Sequence, residues 1–137
     1  SISYTGNNRT HMIRIPDPGR FELRLMDGSV NPYLLQAGVL AAGIEGLNKK
    51  INPGKPLHCN MYEESDKYPN LSKLPNELGE SLNKITDNKV INKAFGKNVI
   101  DSYVKLRKIE LKEFNSKEKF DKSKPITKWE RQNTLDC

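Results

Sequence analysis

The chain has 137 residues, of which 35% are hydrophobic and 29% charged, and its formal net charge is +6. A chain of this length can bury a core of its own, so a scaffold of disulfides is not needed. No run of about 18 apolar residues occurs, which excludes a membrane-spanning helix, and the polar first ten residues do not resemble a signal peptide. With Cys59 and Cys137 as the two thiols, we expect a polar globular protein of a reducing, cytoplasmic compartment.

The pattern of residues 10–30 is typical of β-strands. Residues 11–15 alternate imperfectly between apolar and polar side chains, and we expect this strand to stop at Pro16. Residues 16–19, Pro-Asp-Pro-Gly, are a strong turn signal. Residues 20–25 then alternate with a period of two, so the two segments predict an antiparallel hairpin. The second strand has an apolar face (Phe21, Leu23, Leu25) and a charged face (Arg20, Glu22, Arg24).

The next segment is predicted to be a helix over residues 31–47. Asn31 serves as its N-cap, and Pro32 occupies the first helical position. Glycine is unfavourable in an exposed helix, and this segment contains Gly38, Gly43 and Gly46. We therefore expect the helix to be buried in close contact with a neighbouring element.

The remainder is predicted as a polar loop over residues 52–75 and three helices, over residues 75–85, 90–95 and 98–120. The last helix has an apolar stripe at helical spacing, formed by Ile100, Tyr103, Val104, Leu111 and Phe114. The tail has three apolar side chains that we expect to anchor it, Ile126, Trp129 and Leu135. The predicted fold is α+β: an antiparallel β-hairpin in residues 1–30 that carries the site face, then a mostly α-helical region in residues 31–137.

The charged face of Arg20, Glu22 and Arg24 is the most informative chemical feature, and it has two interpretations. One is a surface ladder in which the carboxylate neutralises its neighbours. The other is a binding site in which Glu22 holds a divalent metal through oxygen, while the arginines hold phosphate or carboxylate groups. Arg9 and Arg14 add two more cations, and this excess of positive charge around one carboxylate either calls for an anionic ligand or leaves the arginines facing water.

Two other kinds of site have less support. His58 and Cys59 form at most half of a zinc site, and His11 is the one other imidazole in the sequence. The basic second half suggests nucleic-acid binding, but its lysines are interleaved with acidic residues, as in residues 105–110. That spacing is typical of a solvated helix face. We therefore expect neither a zinc site nor a nucleic-acid interface.

Four short motifs follow one another at close spacing: Asn-Arg-Thr at residues 8–10, Arg-Ile-Pro at 14–16, Gly-Arg-Phe-Glu-Leu-Arg at 19–24 and Asn-Pro-Tyr-Leu at 31–34. This series strongly resembles the carboxyl-terminal part of the catalytic domain of glutamine synthetases. Residues 53–56 and 60–62 also resemble the family's next segment. The ending over residues 126–136 resembles the branch called type III, which lies close to γ-glutamylmethylamide synthetases.

The resemblance implies a role for each charged residue of the first motifs. Arg9 corresponds to the catalytic arginine that meets the transferred phosphate and the glutamate. Arg14 and Arg20 correspond to arginines on the ATP phosphates, and Glu22 to a ligand of the metal bound by ATP. Arg24 corresponds to the arginine that holds the substrate glutamate. These implied roles agree with the interpretation of the charged face as a binding site.

The resemblance further implies the reaction and the partners. The family forms γ-glutamyl phosphate from ATP and glutamate with Mg²⁺ or Mn²⁺, and ammonia then displaces phosphate to give glutamine. Methylamine replaces ammonia in the γ-glutamylmethylamide synthetases. The implied protein is cytoplasmic and assembles into a ring-like homo-oligomer, with no nucleic-acid or membrane partner.

Several features depart from the family. The turn at residues 16–19 lacks a lysine that many members place near the nucleotide, and Tyr62 stands where some bacterial members have a tyrosine modified by adenylylation, with Glu63 and Glu64 replacing the usual flank. The other metal ligands, the mobile flap and the amino-terminal domain lie upstream in the family and have no counterpart here. We therefore expect a piece of a longer glutamate–ammonia ligase, inactive alone. The alternatives are a γ-glutamylmethylamide synthetase and a non-catalytic interaction domain of the same fold.

Overall fold

The computed structural model describes residues 1–119, 123 and 126–134. These residues form two compact units, the first from residues 1–27 and 52–74 and the second from the described part of residues 28–51 and 75–137. Within the described ranges the elements are three strands, six α-helices and one 3-10 turn, which confirms the predicted α+β fold. Across these same residues, none of the helices combines the length and the apolarity needed to cross a bilayer.

The first unit contains a three-stranded sheet in the order β1-β2-β3. Its strands are β1 (Tyr4–Thr5), β2 (Ile13–Asp17) and β3 (Arg20–Leu23). β2 and β3 pair antiparallel around a turn in which Gly19 has a φ of +78°, a value that glycine adopts without strain. The predicted hairpin is therefore confirmed. β1 pairs parallel with β2 and is too short to be predicted from a sequence pattern.

The predicted ends of the two hairpin strands are wrong. β2 does not stop at Pro16 but continues to Asp17, and its pairing with β3 is irregular between Arg14 and Asp17. Proline cannot donate to a ladder. Pro16 lies beyond the two residues of β2 that pair with β1, so a missing donor is tolerated there. β3 ends at Leu23, two residues before the predicted end.

Residues 52–74 pack back onto the sheet instead of forming a plain polar loop. They contain α2 (Met61–Glu64) and a 3-10 turn (Ser65–Lys67), and Cys59 and Met61 are buried. The carbonyl oxygen of Cys59 lies 3.0 Å from Nε2 of His11, which is 2% exposed. Because a carbonyl can only accept, Nε2 carries a hydrogen, and the other ring nitrogen, Nδ1, forms a hydrogen bond with the hydroxyl of Ser3 at 3.0 Å. His11 is therefore a satisfied buried residue that ties the two segments of this unit together.

The second unit begins with α1 (Pro32–Asn48), which has the start that the sequence predicts. The side-chain oxygen of Asn31 accepts from the backbone N–H groups of Tyr33 and Leu34. The expected burial is wrong, since no residue of α1 is buried, and Leu40 and Leu47 are 64% and 79% exposed.

The expected close packing at the glycines of α1 is wrong as well. A Cβ added at Gly38, Gly43 or Gly46 would meet nothing within 4 Å. The physical reason is that α1 is apolar on every side, whereas the described residues place α4 (Lys89–Phe95) against it and leave large apolar side chains uncovered.

The core of the second unit lies between α3 (Leu78–Thr86) and α5 (Lys97–Lys117). Leu82, Ile100 and Val104 are its buried residues, and side chains of α4 pack at its edge. The three predicted helices are therefore confirmed, although α3 begins three residues later than expected and α5 ends at Lys117, short of the predicted end at residue 120. The apolar stripe of the longest helix supplies two of the three buried residues.

The tail forms α6 (Lys128–Asn133), which begins with a capping box between Thr127 and Glu130. Trp129 packs edge-on against Phe114 of α5, with ring centroids 5.6 Å apart and an interplanar angle of 78°. The prediction that Trp129 anchors the tail is confirmed. The same prediction for Ile126 is wrong, since this residue precedes α6 and is 58% exposed. Leu135, the third predicted anchor, lies outside the described residues.

Candidate active site

The candidate site is the charged face of the hairpin in the first unit, which we call the arginine face (Arg14, Glu22, Arg24). Arg14 on β2 and Glu22 on β3 are direct partners in the antiparallel register. Nη1 of Arg14 donates to Oε2 of Glu22 at 2.7 Å, and Nη1 of Arg24 donates to Oε1 at 2.5 Å. The structure therefore brings together three residues that the sequence singles out: Arg14 on β2, Glu22 on β3 and Arg24, which directly follows β3.

The electrostatics of the arginine face keep Glu22 ionised. The pKa of Glu22 is lowered below its ordinary value of 4.5. The largest cause is the hydrogen bond from Arg24, and the next is the hydrogen bond from Arg14. Two guanidinium groups then face one carboxylate, so the face has one positive charge in excess. Arg14 has a side chain that is 12% exposed, whereas Glu22 and Arg24 are 30% and 31% exposed. The face is thus half-buried and open to an anion from solvent.

Asn7 is a further member of the site that sequence reasoning misses. Its side-chain oxygen accepts hydrogen bonds from both Nε and Nη2 of Arg14, at 2.9 and 2.5 Å. Asn7 lies in the loop between β1 and β2, outside any periodic pattern, so the pairing cannot be inferred from spacing. The one available signal is its position directly before the Asn-Arg-Thr motif.

Arg9 lies in the same loop, between two residues that fix the backbone. Nδ2 of Asn8 donates to the carbonyl oxygen of Cys59 at 3.0 Å. The hydroxyl oxygen of Thr10 accepts from the backbone N–H of Met61 at 3.0 Å. The side chain of Arg9 itself is exposed. The loop is therefore held in place on both sides of Arg9. The guanidinium of Arg9 forms no hydrogen bond with the described residues.

Arg20 takes no part in the ion pairs of Glu22. It opens β3 opposite Asp17, next to the turn, and its side chain is exposed. In the described part of the chain no ion pair joins Arg20 to Glu22. Its exposed position leaves the guanidinium of Arg20 available for a ligand. The arginine face thus contains three of the five predicted site residues, without Arg9 and Arg20.

The described residues do not by themselves provide a metal centre. Within residues 1–119, 123 and 126–134 no group of three or more His, Cys, Asp or Glu side chains could hold a metal ion. Glu22 is a single carboxylate, and each of its oxygens is already bound to a guanidinium. His58 and Cys59 also have separate partners, Thr5 at 3.3 Å and Met61 at 3.5 Å. Glu22 therefore does not fit a divalent cation without further ligands.

The comparisons with known proteins agree with this fold. The family model described as glutamine synthetase, catalytic domain, matches residues 1–132. The chain belongs to the glutamine synthetase family.

The chain is similar to individual members of that family of more than one kind. The glutamine synthetase of Rhizobium meliloti (strain 1021) is 43% identical over 136 residues, which cover 99% of this chain and 29% of that relative. A glutamate–methylamine ligase of Methyloversatilis universalis is 41% identical over 116 residues, covering 82% of this chain and 26% of the ligase. A solved structure described as a GmaS/ADP complex has a TM-score of 0.81 at 38% identity, covering 98% of this chain and 29% of that one. The resemblance inferred from the motifs is confirmed, and the chain spans less than a third of the length of these relatives.

Proposed function

We propose that residues 1–137 are the carboxyl-terminal portion of the catalytic domain of an ATP-dependent glutamate–ammonia ligase, which forms glutamine through γ-glutamyl phosphate. The observation that carries the proposal is Glu22 held between Arg14 and Arg24, with an excess of positive charge. Phosphoryl transfer to a carboxylate develops negative charge on oxygens, and fixed guanidinium groups stabilise such charge without reorganising.

Each residue of the site then has a proposed role. Arg14 and Arg20 bind phosphates of ATP, and Arg24 binds the carboxylate of glutamate. Arg9 contacts both the transferred phosphate and the glutamate, for which its exposed side chain in a fixed loop is suited. Arginine suits these roles because it stays charged and offers two N–H groups to two oxygens at once.

Glu22 is proposed as one ligand of a divalent cation, Mg²⁺ or Mn²⁺. Its ionised carboxylate is the kind of oxygen donor that these ions prefer. Because the described residues form no group of three or more possible metal ligands, the other ligands must come from outside this chain segment. The 137 residues alone are therefore proposed to be inactive, and activity is proposed for a longer, cytoplasmic chain that assembles into a ring-like homo-oligomer.

A second candidate is a γ-glutamyl-amine synthetase that uses methylamine. It is favoured by the glutamate–methylamine ligase at 41% identity and by the structural similarity to the GmaS/ADP complex. The arginine face would serve both reactions equally, because the amine attacks only after the γ-glutamyl phosphate has formed.

The test uses the protein encoded by the complete reading frame. Phosphate release is measured with ATP, Mg²⁺ and glutamate, in the presence of ammonia, methylamine or no amine. Amine-dependent release supports the ligase, and the amine with the higher kcat/KM identifies the reaction. A folded protein that releases no phosphate with either amine would contradict both candidates and would favour a non-catalytic interaction domain of the same fold.

A further inference from the structure

The loop between β1 and β2 places Asn7 against one edge of the Arg14 guanidinium. Both Nε and Nη2 of Arg14 donate to the same oxygen, Oδ1 of Asn7, at 2.9 and 2.5 Å. An amide oxygen can accept two hydrogen bonds, so the side chain of Asn7 satisfies the whole edge. The position of the guanidinium is thus fixed by a residue that lies outside β2 and β3.

The remaining donors of Arg14 can be counted. A guanidinium has five N–H groups, one on Nε and two on each terminal nitrogen. Asn7 takes the one on Nε and one on Nη2, and Glu22 takes one on Nη1. One N–H group on each terminal nitrogen is left by the hydrogen bonds found among the described residues. Two such groups can serve an anionic oxygen while Arg14 keeps its bond to Glu22.

Without Asn7 another arrangement would become favourable. Arginine and a carboxylate commonly form two parallel hydrogen bonds, and the edge between Nε and Nη2 is well suited to this pairing. Asn7 occupies that edge, so it leaves Glu22 with a single hydrogen bond from Arg14. Asn7 therefore prevents Arg14 from forming two parallel hydrogen bonds with Glu22. The free N–H groups of Arg14 then stay available to a ligand.

The backbone around Asn7 is itself held in place. The N–H groups of Asn8 and Ile15 both donate to the carbonyl oxygen of Gly6, at 2.8 and 3.2 Å. The side chain of Asn8 is bound to the carbonyl oxygen of Cys59 at 3.0 Å. Asn7 is thus fixed on both sides by bonds to β2 and to the second segment of the unit, which makes it a rigid support rather than a mobile contact.

We propose that Asn7 is a positioning residue that orients Arg14 for the phosphate groups of the nucleotide. This inference rests on the proposed function, because it concerns how strongly the nucleotide binds at the same site. Asn7 acts through Arg14 and does not contact the substrate.

The experiment measures KM for ATP, KM for glutamate, kcat and the Kd for ADP, in the protein encoded by the complete reading frame. Asn7→Ala should raise KM for ATP and Kd for ADP about tenfold, the effect of losing a hydrogen bond to a charged group. KM for glutamate should change less than about twofold, because Arg24 keeps its own bond to Glu22. A merely structural role would lower the active fraction and hence kcat, and would leave both KM values unchanged.

Two further variants complete the design. Asn52→Ala removes an asparagine of the same unit whose side chain caps a turn by accepting from Gly54 N–H, and it should leave all four constants unchanged. Arg14→Lys keeps the charge but has no guanidinium edge for Asn7, so Asn7→Ala should have no further effect on the Kd for ADP in that background. An equal, additive effect of Asn7→Ala in both backgrounds would overturn the proposal.

The outcomes for the two proposals can be told apart. If the wild-type protein is active and Asn7→Ala leaves KM for ATP unchanged, the positioning role is wrong and the proposed function stands. If the folded wild-type protein neither releases phosphate nor binds ADP, the proposed function fails, and the role of Asn7 fails with it. Activity with a selective rise in KM for ATP and Kd for ADP supports both.

Discussion

Arg14 and Glu22 face each other across the hairpin, and their side chains meet at 2.7 Å. The pair sits at the last regular position before the irregularity of β2, so the arginine face depends on the register of the two strands. Side chains alternate between the faces of a sheet, and a slip of one residue would send Glu22 to the opposite side. The chemistry proposed for this site is therefore tied to the correct pairing of the hairpin.

Replacement of Glu22 should abolish turnover with little loss of stability. In the protein encoded by the complete reading frame, Glu22→Ala and Glu22→Gln should lower kcat by more than about a hundredfold, because a proposed metal ligand is lost. Melting temperature should change by only a few degrees, since the side chain is partly exposed. Asp101→Asn is the matched control, because Asp101 is also a carboxylate in an ion pair but lies on α5. Near wild-type turnover in Glu22→Gln would show that Glu22 does not ligate the metal.

The ionisation of Glu22 gives a pH-dependent prediction. Its pKa is lowered in the folded protein, so its contribution to stability is present above the unfolded pKa and is lost as the pH falls through the folded pKa. Carboxyl ¹³C NMR should show Glu22 titrating below 4.5. Arg24→Ala and Arg14→Ala should each raise the pKa of Glu22, because each removes a hydrogen bond to its carboxylate. An unchanged pKa of Glu22 in both variants, or an ordinary pKa in the wild-type protein, would contradict this description of the face.

The core of the second unit should be sensitive at Leu82. Leu82 is 2% exposed and contacts Ile100 and Val104, so Leu82→Ala should lower the free energy of unfolding by about 2–5 kcal/mol. Leu106→Ala makes the same change at a side chain that is 60% exposed, and should have an effect within about 0.5 kcal/mol. Urea unfolding monitored by circular dichroism measures both values. Equal effects of the two substitutions would show that the core lies elsewhere.

The exposed apolar surface of α1 predicts that this helix is covered in the complete protein. Leu40 on α1 and Leu106 on α5 are 64% and 60% exposed in the described chain, so they form a matched pair. In the complete protein, Leu40→Lys should place a charge in a covered apolar site and lower the melting temperature by several degrees. Leu106→Lys should have little effect. A Leu40→Lys protein that is as stable as wild type would show that α1 stays exposed.

The sequence predicts those features of the fold that depend on local patterns. The hairpin follows from the turn at residues 16–19 and from the period of two after it. The start of α1 follows from Asn31, whose side chain caps the helix as expected. The meeting of Arg14, Glu22 and Arg24 follows from the hairpin, because cross-strand and alternate residues share one face.

The features that could not be predicted depend on long-range contacts. β1 pairs only two residues with β2, so it leaves no periodic signal. Asn7 reaches Arg14 from a loop, and its role depends on how that loop is folded back. The glycines of α1 predict close packing against a neighbour, but they do not tell which part of a protein supplies the cover, and nothing lies within 4 Å of a Cβ added at any of them. For that reason the predicted burial of α1 was wrong within the described residues.

The carbonyl oxygen of Cys59 binds both Asn8 and His11, which lie 51 and 48 residues away in the chain. The helices of the second unit can form from local contacts. The two hydrogen bonds to Cys59, in contrast, form only after a long loop has closed. The loop between β1 and β2 should therefore acquire its shape late in folding. A chain cut after residue 51 would keep Arg9, Arg14 and Glu22, yet lose the carbonyl that holds the loop of Arg9 in place. The site residues alone therefore do not form the site, because the loop also needs the carbonyl oxygen of Cys59 to hold its shape.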